Sequence, residues 1–519
     1  MRALLVLLVA CTDDPKPGET GDTGAPGDSG LPLFAGSDLP REGVPGAEPL
    51  VDVDVVVVGG GPAGLAAAIE ATEAGATVML VEMKDRTGGS LRYNAGTFLF
   101  SGTDIQTESG VADSPDKLLE EWPDFTGGDP ADPWVVYFAE NNVPEVYTWL
   151  TDLGVAFLGG VAQDESGGPT ARLHRVDVRS DLANILTDQI DPADILLDTK
   201  VTGLRLGPGL RNRGVTIEPT AGGEPSWIRA DTIIMATGGF LRNLDMVAEA
   251  DSALDTSALY FSTGPHADGN GHALLTSVGG VLQNPGAIGF YAHGCPDPRA
   301  DGEELAFTPV SSTLYINSAG QRFVNEEEYN SFYSGRAVVD QAGSLAWAVF
   351  DDGVMSSLQL LDPLIIEGES DEMPTLDDLR DAGFLLQDDS LEGLAAAIGV
   401  DGASLTGEVD AYNTEFVEGT EDPWRGGSPV GSPLLAPPYY GLKIAPVLAK
   451  AFGGVDVDLQ GRVVDADGAP IHGLYAAGEL TGMAGGSLVG DAGFTGSLAA
   501  VVLGGRVAGQ YAAAEALAE

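Results

Sequence analysis

Residues 53–82 constrain this chain more than any other stretch, because they spell a phosphate-binding strand, turn, helix and strand with an acid at the end. Val53-Asp54-Val55-Val56-Val57-Val58 is a β-branched run of the kind buried on both faces of a parallel sheet, and Gly59-Gly60-Gly61-Pro62-Ala63-Gly64 follows directly. Leu65 to Ala74 is Ala-rich and helix-favouring, and Gly75 ends it. Thr77-Val78-Met79-Leu80-Val81 then forms a second strand that reaches Glu82, eighteen residues after Gly64. Gly59 permits the tight turn, Gly61 lets backbone approach a pyrophosphate, and Gly64 lets helix and strand pack closely. Pro62 and Ala63 open a helix whose free amides face the anion. Glu82 accepts from ribose hydroxyls. With 72 glycines in the chain the motif alone proves little. The register of strand, glycines, helix, strand and acid is what points to an adenine dinucleotide.

At 519 residues, 44% hydrophobic and with a mean hydropathy of +0.06, the chain can bury a substantial core in two or three domains. Lys and Arg number 25 against 78 Asp and Glu, a net charge of −53 that excludes nucleic acid, whose phosphates require a basic footprint. Such acidity suits a solvated surface in a saline or extracytoplasmic setting. The N-terminus agrees. Arg2, the apolar run Ala3 to Ala10 and then Cys11 give Leu8-Val9-Ala10-Cys11, similar to a bacterial lipobox, so residues 1–11 are expected to be a lipoprotein signal peptide. Residues 12–50 are expected to be a disordered acidic Gly/Pro/Thr linker. The expected location is therefore the bacterial cell envelope, with membrane contact only through a lipid on Cys11. Cys11 and Cys295 are the only cysteines, so no c-type haem and no cysteine-ligated iron–sulfur cluster is held by this chain, and no metal site is expected. Electrons must come from, or go to, an external partner. The oligomeric state stays open.

NAD and FAD share the glycine fingerprint, and three further segments bear on the choice. Met83-Lys84-Asp85-Arg86-Thr87-Gly88-Gly89-Ser90 supplies a turn where a flavoprotein chain crosses the pyrophosphate and approaches the ring system. Asp231-Thr232-Ile233-Ile234-Met235-Ala236-Thr237-Gly238-Gly239-Phe240 is a strand ending in a glycine turn, and Gly473-Leu474-Tyr475-Ala476-Ala477-Gly478-Glu479 is another ending in glycine and an acid.

With these segments the chain resembles the flavoprotein subunits of fumarate reductase and succinate dehydrogenase, with soluble fumarate reductases and 3-ketosteroid dehydrogenases as relatives. The resemblance runs from about Val53 to Ala513. It takes in Ala267-Asp268-Gly269-Asn270-Gly271-His272, Arg322-Phe323-Val324-Asn325-Glu326, Pro437-Pro438-Tyr439-Tyr440-Gly441, Phe452-Gly453-Gly454-Val455 and Gly493-Phe494-Thr495-Gly496-Ser497-Leu498. It implies FAD, and an α/β fold in which a Rossmann-like FAD-binding domain, a parallel sheet with helices on both faces, is interrupted by an α+β substrate cap. The FAD domain would occupy residues 51–285 and 438–519 and the cap 286–437. Val201 would lie at the adenine, Gly96 and Asp268 at the cofactor, and Gly496, Ser497 and Leu498 would start a helix against the flavin. Some members attach flavin through a histidine; the stretch from Ser90 to Gly96 has none, so FAD is expected to be non-covalent.

The resemblance also implies hydride transfer between the flavin and a C=C or CH–CH unit next to a carbonyl or carboxylate in a small-molecule substrate. The family's acid/base and clamp residues are replaced here. The register of its catalytic arginine falls on Asn330, with Arg336 the nearest arginine; a histidine is replaced by Lys450; and Gly485 to Asp491 lacks the second clamp arginine. His293 stands near the family's other substrate-binding histidine. Tyr329 and Tyr333 stand where ketosteroid dehydrogenases use tyrosines, which keeps a 3-ketosteroid-like substrate open beside a dicarboxylate. His174 and Arg175 match a pair that faces the flavin edge in relatives. The candidate catalytic residues are Arg336, Tyr329, Tyr333, Lys450 and His293. The competing reading is an electron-transfer or non-catalytic envelope flavoprotein.

Overall fold

The computed structural model describes residues 48–519 except 93–95, 162–167, 178, 208–212, 265, 293, 300–301, 308–311, 327–330, 357, 359, 362–373, 425–431, 484–487, 491–492 and 519. The lipobox with Cys11, most of the linker, His293 and Tyr329 therefore lie outside the described residues.

The Val-rich run is strand β1 (Val51–Val58), with Val55, Val56 and Val57 fully buried. It lies parallel between β2 (Val78–Val81) and the strand Ser226–Met235. Pro470–Ala476 extends the parallel array on one side and Ile195–Leu196 on the other. Thr199–Leu206, Arg213–Pro219 and Arg462–Val464 add antiparallel strands, making eight in all. The expected α/β fold with a parallel sheet is thus present. Between Ile195–Leu196 and Thr199–Leu206 the chain turns at Asp198, whose φ is 51°.

Between β1 and β2 runs helix α1 (Pro62–Glu73), with Pro62 in its first turn and Gly75 at a φ of 95° just beyond its end. Its alanines let the C-terminal helix, Leu498–Ala518, lie against it. A Cβ at Gly505 would come within 2.2 Å of the Ala63 carbonyl oxygen, and one at Gly509 within 2.4 Å of that of Ala67. Glycine at those two positions sets the interhelical distance.

A second sheet, of four antiparallel strands, orders Leu314–Asn317, Ala346–Asp351, Tyr439–Ile444 and Leu385–Asp388 over its own apolar core. Tyr439–Ile444 pairs here, so this sheet continues past residue 437, and the chain next meets the large sheet at Arg462. Between the two, Ile288–Tyr291, Val447–Ala451 and Tyr260–Phe261 form a small three-stranded sheet. Among the described residues no helix is long and apolar enough to cross a membrane.

Candidate active site

Four parallel strands of the large sheet end at one cavity of about 500 Å³, whose wall includes Val58, Val81, Ala236 and Ala477. This is the carboxyl edge of the sheet, where open α/β folds bind ligands. The glycine turn shapes its floor. Gly59 has a φ of 103°, and a Cβ there would stand 2.4 Å from the Ala236 carbonyl oxygen. One at Gly64 would stand 1.8 Å from the Gly59 oxygen, whereas one at Gly61 would meet nothing within 4 Å. The first two glycines therefore permit close packing, and the third leaves open space beside the helix start. Among the described residues no side chain caps α1, so its first amides keep their hydrogen-bonding capacity for an anion.

Glu82 lines the same cavity at 7% exposure, its carboxylate accepting from Gly60 N at 2.7 Å and Lys84 N at 2.9 Å. Those two bonds aim it before any ribose arrives. Among the described residues Thr237 Oγ1, buried in the wall, has no hydrogen-bond partner. Among the described residues Lys84, Arg86, Arg92, Arg175, Lys200 and Lys450 line the cavity against three carboxylates, Glu82, Asp268 and Glu479. In a chain where acids outnumber bases about threefold, this reversal marks a site built for anions. The donors, the open space at Gly61 and the buried hydroxyl fit the diphosphate, ribose and ribityl chain of FAD.

Of the residues expected at the cofactor, Gly59, Gly61, Pro62, Ala63, Glu82, Met83, Gly89, Ser90, Val201, Ala236, Thr237, Gly238, Asp268, Gly478, Glu479, Gly496, Ser497 and Leu498 all line this cavity. Gly64 and Gly88 stand behind the wall; Gly88 N donates to the Gly60 carbonyl at 2.8 Å and ties the two glycine turns together. Gly96 is not in the wall. It turns the chain at a φ of 61° into the short strand Thr97–Leu99.

The catalytic candidates separate. Lys450 lines the cavity, while Arg336 and Tyr333 do not. Arg336 is held by Asp251 at 3.1 Å and Asp340 at 3.0 Å, and Tyr333 is 46% exposed on the same helix. Arg175 is in the wall, but its neighbour His174 is not. His174 is buried among Phe100, Tyr147 and Phe157, bonded to Thr103 Oγ1 at 2.7 Å and the Arg172 carbonyl at 2.8 Å, and burial lowers its pKa. Strand alternation sends the two side chains to opposite faces.

Lys450 lines the cavity next to a β-bulge. Gly289 is opposite Lys450 but Phe290 is opposite Leu448, so the strand Val447–Ala451 carries one extra residue, and both Ala449 and Lys450 line the wall. Among the described residues Lys450 Nζ has one acceptor, the Phe494 carbonyl at 3.5 Å, and it lies 5.5 Å from the Phe332 ring centroid. Desolvation lowers its pKa from 10.5 to about 8, against the attraction of Glu479. Glu479, whose carboxyl is pushed up by burial, accepts from Ala451 N at 2.9 Å. An ammonium with so few partners facing a cavity is ready for a ligand anion. Tyr291 and His266 also line the wall and were not anticipated by the motifs. Asn270, within the Ala267–His272 segment of the resemblance, lines it too, its side-chain amide donating to the Val201 carbonyl at 3.1 Å.

A parallel sheet with a glycine turn, a ribose-directed acid and an anion-binding cavity at its carboxyl edge defines a dinucleotide-binding flavoprotein fold. The chain belongs to the family described as FAD binding domain, whose model matches residues 54–490, and FAD is its cofactor. Fumarate reductase (cytochrome) of Shewanella frigidimarina is 30% identical over 486 residues, which cover 91% of this chain and 79% of that protein. Among solved structures, the open conformation of a flavocytochrome c3 fumarate reductase matches with a TM-score of 0.70 at 26% identity, over 90% of this chain and 79% of that one. The fold is shared with 3-ketosteroid-Δ4-(5α)-dehydrogenase of Rhodococcus jostii RHA1, at a TM-score of 0.69 and 23% identity, over 92% of this chain and 99% of that one.

Proposed function

We propose that this protein is an FAD-dependent oxidoreductase that adds or removes hydrogen across a carbon–carbon bond next to a carbonyl or carboxylate. The observation that carries the reading is Lys450, a desolvated ammonium in the same cavity as the diphosphate-binding turn. Bound FAD supplies or accepts the hydride at N5. Lys450 Nζ neutralises charge that develops on the activating group and holds the proton owed to the adjacent carbon, from a pKa suited to release near neutrality. Thr237 and Glu479 orient the cofactor edge, and Glu82 fixes its ribose.

In this reading the segment from residue 286, extended by the strand Tyr439–Ile444, caps the cavity. The flavin is held without a covalent bond and is released on acid precipitation. An external carrier exchanges electrons with it, and a lipid on Cys11 anchors the chain at the cell envelope, so Cys11→Ala releases it from the membrane fraction. The test is anaerobic. FAD-loaded protein is reduced chemically and mixed with alkenes activated by a carboxylate, by two carboxylates or by a ketone. Return of the oxidised flavin band with at least one class is expected. Failure of all three overturns the reading.

A further inference from the structure

We propose that Arg242, which does not itself line the cavity, is a positioning residue for FAD: it holds the loop of residues 262–268 against the cofactor, and Glu303 braces it from the segment proposed to cap the cavity. FAD binding and the seating of that segment are thereby linked.

The loop cannot hold itself. Ser262, Thr263, Gly264, His266, Ala267 and Asp268 all line the cavity. The run Ser262-Thr263-Gly264-Pro265-His266-Ala267-Asp268 carries no large apolar side chain, so burial of its own surface does not fix it. Its first residue is tied to the neighbouring strand, Ser262 N donating to the Leu448 carbonyl at 3.2 Å. Beyond that point its carbonyls are taken from one place. Arg242 Nη2 donates to the Thr263 carbonyl at 2.7 Å and Nε to the same oxygen at 3.2 Å. The backbone N of Arg242 donates to the Ala267 carbonyl at 2.9 Å, and the Asn243 side-chain amide to that of Asp268 at 3.2 Å. Two consecutive residues thus grip the loop near its start and at its end.

The grip has a firm base and a brace. Phe240 and Leu241, just before Arg242, are fully buried. A Cβ at Gly269 would stand 2.3 Å from Met246 Sδ, so the chain beyond the loop packs directly on the helix Leu244–Ala250. The Arg242 guanidinium lies 4.4 Å over the Phe261 ring centroid. Glu303 meets it with both oxygens, Oε1 on Nη1 and Oε2 on Nη2 at 3.0 Å, in a pair mostly shielded from solvent. Glu303 is itself tied down: its carbonyl accepts from Asp297 N at 2.9 Å, and the Gly302 carbonyl accepts from Phe261 N at 2.8 Å. A point charge could serve either the Thr263 carbonyl or Glu303. Only a planar fork serves both, which is why arginine stands here rather than lysine. With the loop ordered in advance, FAD does not have to order it on binding; without Arg242 that cost falls on the cofactor.

The experiment titrates full-length apoprotein with FAD, follows flavin fluorescence, and records the FAD release rate and the urea midpoint of the apoprotein. Arg242→Met is expected to weaken FAD by about 10- to 100-fold, chiefly through faster release, and Arg242→Lys to recover part of the loss. Glu303→Gln is expected to weaken FAD by about three- to tenfold, and to add nothing on top of Arg242→Met, because it acts through the arginine. Asp251→Asn is the control. It breaks the ion pair with Arg336, a second link to the same segment but away from the cavity wall, and should leave FAD affinity within about twofold. Wild-type FAD affinity in Arg242→Met, or equal weakening in Asp251→Asn, overturns the proposal. So does a loss that Arg242→Lys fails to lessen, which marks a merely structural arginine. Additive effects of Arg242→Met and Glu303→Gln overturn the link to the cap segment. If Arg242→Met does not fold, Arg242→Lys and Glu303→Gln decide: both must weaken FAD with the apoprotein urea midpoint little changed, and the proposal falls if either does not. None of these readouts involves turnover, so each failure leaves the oxidoreductase reading standing.

Discussion

Lys450→Met should make the cofactor-free protein more stable, and by an amount that depends on pH. Burial lowers the pKa of Lys450 from 10.5 to about 8. Each tenfold loss of proton affinity corresponds to about 1.4 kcal/mol, so holding the ammonium in the folded state costs up to about 3 kcal/mol. Water in the cavity screens part of this, which leaves roughly 1–3 kcal/mol. Methionine matches the stem in volume and carries no charge, so packing is nearly conserved. The sign follows from the proton balance. Between about pH 8 and 10.5 the unfolded lysine still binds a proton that the folded one has lost, so wild-type stability rises with pH across that window. Below pH 8 the full cost applies. The variant should therefore be the more stable at pH 7 by roughly 1–3 kcal/mol in urea denaturation, and the gap should narrow as pH rises toward 10.5. Glu479 is the carboxylate that feels Lys450, so the comparison is repeated in Glu479→Gln to remove the counter-charge. A variant less stable than wild type at pH 7, or a gap unchanged across that window, would refute the idea that this lysine is kept at a cost to stability for the sake of its ligand.

Alkene reduction by the wild-type protein should lose rate above about pH 8, roughly tenfold per pH unit, as Lys450 gives up the proton it must deliver. Stopped-flow reoxidation against pH measures this. Glu82→Gln removes the charge that accepts from Gly60 N and Lys84 N and should weaken FAD by about 10- to 100-fold in a titration of apoprotein. Gly64→Val drives a side chain into the Gly59 carbonyl, 1.8 Å from where its Cβ would sit, and should yield protein without flavin; the ratio of flavin to protein absorbance checks it. Arg172 is fully buried, with Nε and Nη2 each 2.9 Å from the Asp113 carboxylate and Nη1 2.7 Å from Glu121. Arg172→Met should cost about 3–5 kcal/mol in denaturation, because the carboxylates stay behind uncompensated, and Asp113→Asn should recover part of that loss.

The cofactor half of the cavity was legible because its determinants are local. A strand, its glycine turn and the helix start are consecutive in sequence, and Gly59, Gly61 and Glu82 act through backbone geometry that a motif encodes directly. Where a partner comes from elsewhere in the chain, the motif is silent. Arg336 stands six residues beyond the position the resemblance assigned to the acid, yet its direction is decided by Asp251, eighty-five residues earlier, which draws it out of the cavity. His174 and Arg175 were read as a pair, and alternation along one strand put only Arg175 in the wall. The strand that carries Lys450 shows the limit from the other side. Its position could be matched to a motif, but regular alternation would give the cavity either Ala449 or Lys450, not both. The bulge at Gly289 and Phe290 is a property of the pairing between two strands some 160 residues apart; it leaves Ala449 without a partner while Lys450 stays opposite Gly289, and so lets both line the cavity. If Lys450 does meet the substrate, specificity in this chain depends on strand register as much as on residue identity.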